Sequence, residues 1–216
     1  MHRPLLLGHR GVCGASSVQE NTLAAFELAL SNGCDGFEFD VRATADGIAV
    51  ICHSPRFRRR VIAKSSAAAI PEVPPLDAVL KQYAGRAFLD IEIKVSGIGN
   101  LIAAALDRNP PSRGFVVSSF LPDVLRELHR LNEAIPLGLI CDRKRQLAPW
   151  RELPIEYLIP RYDLLTLELL VEAHESRKKV LVWTVNRRAT MRRFAAWQVD
   201  GIISDNPEWL ARALRR

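Results

Sequence analysis

This sequence predicts a TIM (β/α)8 barrel, on three observations. Nine short apolar, β-branched runs alternate with helix-like segments. One of the nine is the return arm of a hairpin, which leaves eight strand–helix units. Residues able to do chemistry stand at the C-terminal ends of these runs: His9, Asp40, Lys94, Ser119, Asn186 and Asp205. In such a barrel that end is the catalytic face. No glycine-rich phosphate loop follows the first run, which argues against the rival open doubly wound sheet. At 216 residues the chain is expected to be one domain spanning 1–216.

The elements follow in order. Leu5-Leu6-Leu7 is a short buried strand ending in the turn Gly8-His9-Arg10-Gly11. Asn21 is expected to cap the helix TLAAFELALSNG, with Gly33 as its stop. Residues 36–53, GFEFDVRATADGIAVICH, form a strand, a turn and a return arm. A strand has period two, so Glu38 and Asp40 share a face. A two-residue turn centred on Asp46-Gly47 sets position 53 opposite position 40 and brings His53 back beside Asp40. Residues 54–75 read as a loop or small excursion, a shortened basic insertion without clean periodicity, carrying Arg56, Arg58, Arg59, Arg60 and Lys64.

Alternation then resumes. Leu76–Tyr83 is a helix, and Ala87–Lys94 is a strand with Asp90, Glu92 and Lys94 on one face. Asn100–Arg108 is a helix stopped by Pro110-Pro111, Phe115–Phe120 a strand, Pro122–Leu131 a helix and Leu137–Cys141 a strand. A basic connection over 142–155 leads to the short strand Tyr157–Ile159. Helix Thr166–Lys178, strand Val180–Val185, helix Arg188–Trp197, strand Gly201–Ser204 and a closing helix Pro207–Arg215 complete the chain.

No apolar run approaches the ~20 residues that span a bilayer, and the three leucines near the N-terminus are too short for a secretory core. The expectation is a cytoplasmic protein without stable membrane insertion or an amphipathic membrane helix. Cys13, Cys34, Cys52 and Cys141 show neither CxxC pairing nor zinc-like spacing. The formal charge of +6 comes mostly from arginine and suits an anionic ligand. Nucleic acid is not expected, because Phe57 is the only aromatic among the basic residues of 54–75.

The candidate site draws these residues together. Glu38, Asp40 and Glu92 are three hard oxygen donors with no soft partner, a set that favours one Mg²⁺ or Ca²⁺ over zinc. Like charges do not share a small volume without a cation or a proton to relieve them. His9 and His53 are candidate acid and base. Lys94 adds positive charge, and Arg10 can fork onto a phosphate. Phosphodiester cleavage uses all of these groups. A non-catalytic phosphate or nucleic-acid binder is the alternative from another class.

The order HRG, ENTLAAF, the block from Gly33 through Asp35, Gly36, Glu38, Asp40, Asp46 and Gly47 to His53, then IEIK, SSF, VWTVN and DGIISDNP resembles the glycerophosphodiester phosphodiesterase family, from His9 to Pro207. The resemblance implies a TIM barrel, a divalent cation, and hydrolysis of glycerophosphodiesters to sn-glycerol 3-phosphate and an alcohol. It also implies attack by a substrate glycerol hydroxyl, forming a cyclic phosphate that water opens. Carried onto this chain, the metal ligands match Glu38, Asp40 and Glu92, the acid/base histidines His9 and His53, and the phosphate contacts Arg10 and Lys94. Phe120 and Trp183 match residues lining the substrate cleft. Two departures stand out: Ser54 follows the second histidine where the family usually has Asp, and residues 54–75 are shorter and more basic. A shorter cover implies a more open mouth, and a lysophospholipase D-like or phosphoinositide-type substrate is the same-chemistry alternative.

Overall fold

The computed structural model describes residues 3–14 and 18–214. Strand β1 (Leu5–Gly8) is followed by helix α1 (Leu23–Ser31), strand β2 (Gly36–Ala43) and its antiparallel return arm β3 (Ala49–Ile51). The insertion holds a two-stranded ribbon, β4 (Arg56–Phe57) and β5 (Arg60–Val61). Next come α2 (Leu76–Tyr83), β6 (Phe88–Ile93), α3 (Gly99–Arg108), β7 (Phe115–Ser119), α4 (Pro122–Leu131), β8 (Leu137–Cys141) and the single turn α5 (Lys144–Leu147). The chain continues through β9 (Tyr157–Pro160), α6 (Leu167–Glu175), β10 (Lys179–Val182), α7 (Arg188–Ala196), β11 (Gly201–Ser204) and α8 (Pro207–Leu214). Arg215 lies outside the described residues.

Eight parallel strands close a ring in the order β1, β2, β6, β7, β8, β9, β10, β11, with β11 pairing back onto β1 from Leu5↔Gly201 to Gly8↔Ser204. β3 sits outside the ring on the edge of β2. This is the predicted TIM barrel with its hairpin extension. Alternation along each strand divides the core in two. Leu7, Val116, Leu181 and Ile203 fill the barrel interior. Their neighbours Leu6, Val117, Val182 and Ile202 face the helices. On β2 the outward set is Phe37, Phe39 and Val41. Phe26 of α1 stacks on Phe37 with centroids 4.2 Å apart, and Tyr83 of α2 meets Phe37 edge-on at 5.1 Å. Each such ring buried is worth roughly 2–3 kcal/mol, so the aromatic face of β2 fixes which carboxylates point inward. No helix among the described residues is long and apolar enough to cross a membrane.

Two local expectations are corrected. The hairpin pairs Val41 with Ile51, which sets Cys52 opposite Asp40; the Cys52 amide donates to the Asp40 carbonyl at 2.9 Å. The turn has three residues, closed by Thr44 and Ile48, with Gly47 in the left-handed region (φ 75°). Asn21 is not the cap of α1: Thr22 is, and its hydroxyl accepts from the Ala25 amide at 3.2 Å. Of the two readings of residues 54–75, a loop or a small excursion, the structure has the excursion. Beyond the β4–β5 ribbon these residues form two 3₁₀ turns, Ile62–Lys64 and Ala67–Ala69, over a small core of Val50, Cys52, Ile62, Ile70 and Val73. Smaller differences are at element ends: Thr166 caps α6 through its hydroxyl, and β10 stops at Val182.

Candidate active site at the mouth of the barrel

The inward face of β2 presents Glu38 and Asp40, and β6 pairs Asp90 beside Glu38 and Glu92 beside Asp40. Glu38, Asp40 and Glu92 are 4%, 0% and 7% exposed. One oxygen from each lies within 4.8 Å of the others. Two cations answer them. Lys94 Nζ is 2.5 Å from Glu92 Oε1 and 3.2 Å from Asp40 Oδ1, and Arg10 Nε is 3.3 Å from Asp40 Oδ2. Asn21 holds Asp40 from both ends: its amide donates to Oδ2 at 2.7 Å, and its carbonyl accepts from the Asp40 backbone at 3.2 Å.

The electrostatics follow from burial. Burial first, then Asp40, pushes Glu92 up to about 7. Burial with Asp40 and Glu92 nearby raises Glu38 well above the usual carboxylate range. Asp40 is held below its ordinary value because Lys94, Arg10 and Asn21 outweigh its burial. Asp90, with a hydrogen bond from the Ser118 hydroxyl, is pushed up to about 7, again mainly by burial.

A divalent cation fits this cradle. Glu38 Oε1 is buried without a hydrogen-bond partner, and Asp40 Oδ1 has only the Lys94 ammonium at 3.2 Å, a costly state for a carboxylate unless an ion or proton completes it. The donors are all hard oxygens, as Mg²⁺ or Ca²⁺ requires. A second group, His9, Cys13 and Asp205, also converges. There, however, the Cys13 thiol donates to Glu20 and is pushed up to about 12 by burial and that bond.

His9 and His53 line different cavities. His9 Nε2 is 3.7 Å from Glu38 Oε2, and its Nδ1 is 2.6 Å from Asp205 Oδ1. Asp205 is in turn held by the Asn186 amide at 2.5 Å. His53 follows β3; its carbonyl accepts from the Arg42 guanidinium at 2.8 and 3.0 Å. Burial lowers the His53 imidazole, and Asp40 partly offsets this. Arg10 also donates its backbone N–H to Glu38 at 3.0 Å and its guanidinium to Glu20 at 2.7 Å. Trp183 and Phe120 meet edge-on at 5.6 Å; Trp183 is 6.5 Å from the His9 ring, and Lys94 Nζ is 5.5 Å from the Phe120 ring. All nine residues singled out in the sequence therefore belong to the barrel mouth or its rim.

Sequence reasoning missed four supporting groups. Asn21 was expected as a helix cap. Asp205 and Asn186 were noticed only as strand-end residues, although an acid at a strand end opposite a histidine is the available signal. Glu20, next to Asn21, gave no signal of its pairing with Arg10.

The model of the glycerophosphoryl diester phosphodiesterase family matches residues 9–78 and 94–209. Both stretches carry candidate site residues, and Glu92 falls between them. A glycerophosphodiester phosphodiesterase of Caldanaerobacter subterraneus subsp. tengcongensis is 30% identical over 245 aligned positions, covering 99% of each chain. Among solved structures, an Oleispira antarctica phosphodiesterase in complex with the product sn-glycerol-3-phosphate superposes with a TM-score of 0.86 at 22% identity, covering 99% of this chain and 98% of that one. A glycerophosphodiester phosphodiesterase of Thermotoga maritima gives 0.84 at 23%, covering 98% and 99%. With most of its length matched by the family model and a full-length relative at this identity, the chain belongs to the glycerophosphoryl diester phosphodiesterase family.

Proposed function

We propose that this protein hydrolyses glycerophosphodiesters to sn-glycerol 3-phosphate and an alcohol, with one Mg²⁺ or Ca²⁺ held by Glu38, Asp40 and Glu92. The observation that carries this is the set of three buried carboxylates converging at the mouth of the barrel, with Glu38 Oε1 left without a hydrogen-bond partner and two histidines nearby. When bound, such a cation stabilises charge on a phosphoryl oxygen.

The chain's own groups supply the rest. Arg10 and Lys94 bring positive charge to the phosphoryl group. Asp205 accepts the Nδ1 proton of His9, which leaves Nε2 turned toward the carboxylates and free to exchange a proton. His53, lowered by burial, is largely neutral near pH 7 and able to accept one. A glycerol hydroxyl of the substrate attacks phosphorus and gives its proton to one histidine. The alcohol departs with a proton from the other, and water then opens the cyclic phosphate with the two roles reversed. Phe120 and Trp183 form an apolar wall of the cleft.

The test is release of glycerol 3-phosphate from diesters with choline, ethanolamine, glycerol and inositol head groups, beside a lysophospholipid, each with Mg²⁺, with Ca²⁺ and with chelator. Cation-dependent release that chelator abolishes is expected. Silence on every diester from folded protein that binds Mg²⁺ would sink the proposal.

A further inference from the structure

The two sides of the site differ in size. On the His9 side the space enclosed with Glu38, Glu92 and Trp183 is about 20 Å³, little more than one water occupies. On the His53 side a groove of about 300 Å³ opens, lined by His53, Asn21, Arg56, Phe57 and Glu72 among others. A second hollow of about 460 Å³ adjoins it. Phe57, Arg58 and Glu72 belong to both, and Arg59 and Arg60 line the far part. The variable half of a diester therefore has room on the His53 side.

The charge of that groove is one-sided. Its two carboxylates are already engaged: Glu20 takes bonds from Arg10 and Cys13, and Glu72 is 2.6 Å from Arg58. Arg56, Arg59 and Arg60 are exposed and have no carboxylate partner among the described residues. The aromatic of the groove is also occupied, because the Arg58 guanidinium lies 5.2 Å from the centroid of Phe57. A quaternary ammonium is recognised by open aromatic faces and free carboxylates, and here it finds neither. A phosphate or carboxylate finds three uncommitted guanidiniums, each able to fork onto it.

We infer that the groove beside His53 receives the alcohol half of the substrate and selects alcohols carrying a further anionic group over cationic ones such as choline. This rests on the phosphodiesterase activity proposed above. The test compares kcat/KM for glycerophosphoinositol 4-phosphate and glycerophosphoinositol, a pair differing by one phosphate, with glycerophosphocholine as the cationic comparator. The enzyme and an Arg56→Ser/Arg59→Ser/Arg60→Ser variant are run at low and high salt. The expected result is a preference of about tenfold for the phosphorylated member at low salt, carried mainly in KM. Salt should shrink it, because such contacts are screened, and the triple variant should bring it near parity. Equal turnover of the pair, a preference for glycerophosphocholine, or a preference that survives the triple substitution overturns the inference while leaving the phosphodiesterase activity standing. Absence of turnover on all three substrates overturns both.

Discussion

Raising the pH in the presence of a chelator should destabilise this protein, and Mg²⁺ should restore what is lost. In the unfolded chain Asp90 and Glu92 titrate near 3.8 and 4.5, whereas in the folded protein both are pushed up to about 7. Between those values the folded state binds more protons than the unfolded one, so stability falls as pH rises. Glu38, also raised, acts in the same direction. Once ionised, one carboxyl shifted this far costs roughly 3 kcal/mol. For a chain of this size each kcal/mol moves Tm by about 2–4 °C, so a drop on the order of 10 °C is expected between about pH 5 and pH 8. The depressed groups do not oppose it in that window. Asp40 and Asp205 are lowered, so their contribution is complete above the ordinary carboxylate range. His53 opposes it, because its lowered imidazole makes stability rise with pH near 6.5, but it is one group against three. Thermal melts across this range, with chelator and with Mg²⁺, read the effect directly. The Mg²⁺ increment should grow with pH, and Asp90→Asn should flatten the chelator curve. A chelator curve that stays level or climbs, or a Mg²⁺ increment independent of pH, would refute the charge assignment of the cradle.

Other substitutions separate the roles at the site. His9→Ala should lower turnover by about 10²–10⁴-fold while the Mg²⁺-induced rise in Tm persists. Asp205→Asn should also lower kcat, by about 10²-fold or more, because an amide no longer fixes which ring nitrogen of His9 carries the proton. Asn21→Ala frees Asp40 from its double hold and should weaken Mg²⁺ binding about 10- to 100-fold, measurable by calorimetry. Gly36→Ala tests the fold alone: a Cβ there would sit 1.8 Å from the Phe88 carbonyl oxygen, and a loss of about 3 kcal/mol or more is expected in urea unfolding.

The barrel was legible because its strands and helices obey local rules. The bounds of Leu76–Tyr83, Pro122–Leu131, Leu137–Cys141 and Gly201–Ser204 are those that apolar runs and proline or glycine stops imply. Glu38, Asp40, Glu92 and Lys94 were legible for the same reason: period two places them inward once Phe37, Phe39 and Ile91 claim the helix side. What could not be read is whatever depends on distant parts of the chain meeting. Asp205 reaches His9 across 196 positions because β11 closes onto β1. Asn21 has the side chain of a cap, but a left-handed backbone (φ 57°) turns it under β2, where a buried aspartate offers a stronger partner than a helix amide. The insertion showed no periodicity because its ribbon and 3₁₀ turns are too short to express one.

The hairpin shows why a site can survive an error in register. A two-residue turn at Asp46-Gly47 would set His53 opposite Asp40. The chain instead uses three residues, because the Thr44 hydroxyl accepts the Ile48 amide and closes the loop one step earlier. Asp46 is drawn away, its carboxylate accepting the Ala67 amide at 3.1 and 3.2 Å and tying the hairpin tip to the insertion. A one-residue slip inside a ladder would reverse every side chain. His53 is spared because it lies beyond the last ladder pair, where the backbone no longer alternates. Its position is set by Arg42 gripping its carbonyl and by the small core of Cys52, Ile62 and Val73 beside it. The placement of His53 therefore depends less on the turn than on the insertion, so under the proposed function changes in residues 54–75 should move His53 and alter substrate choice together.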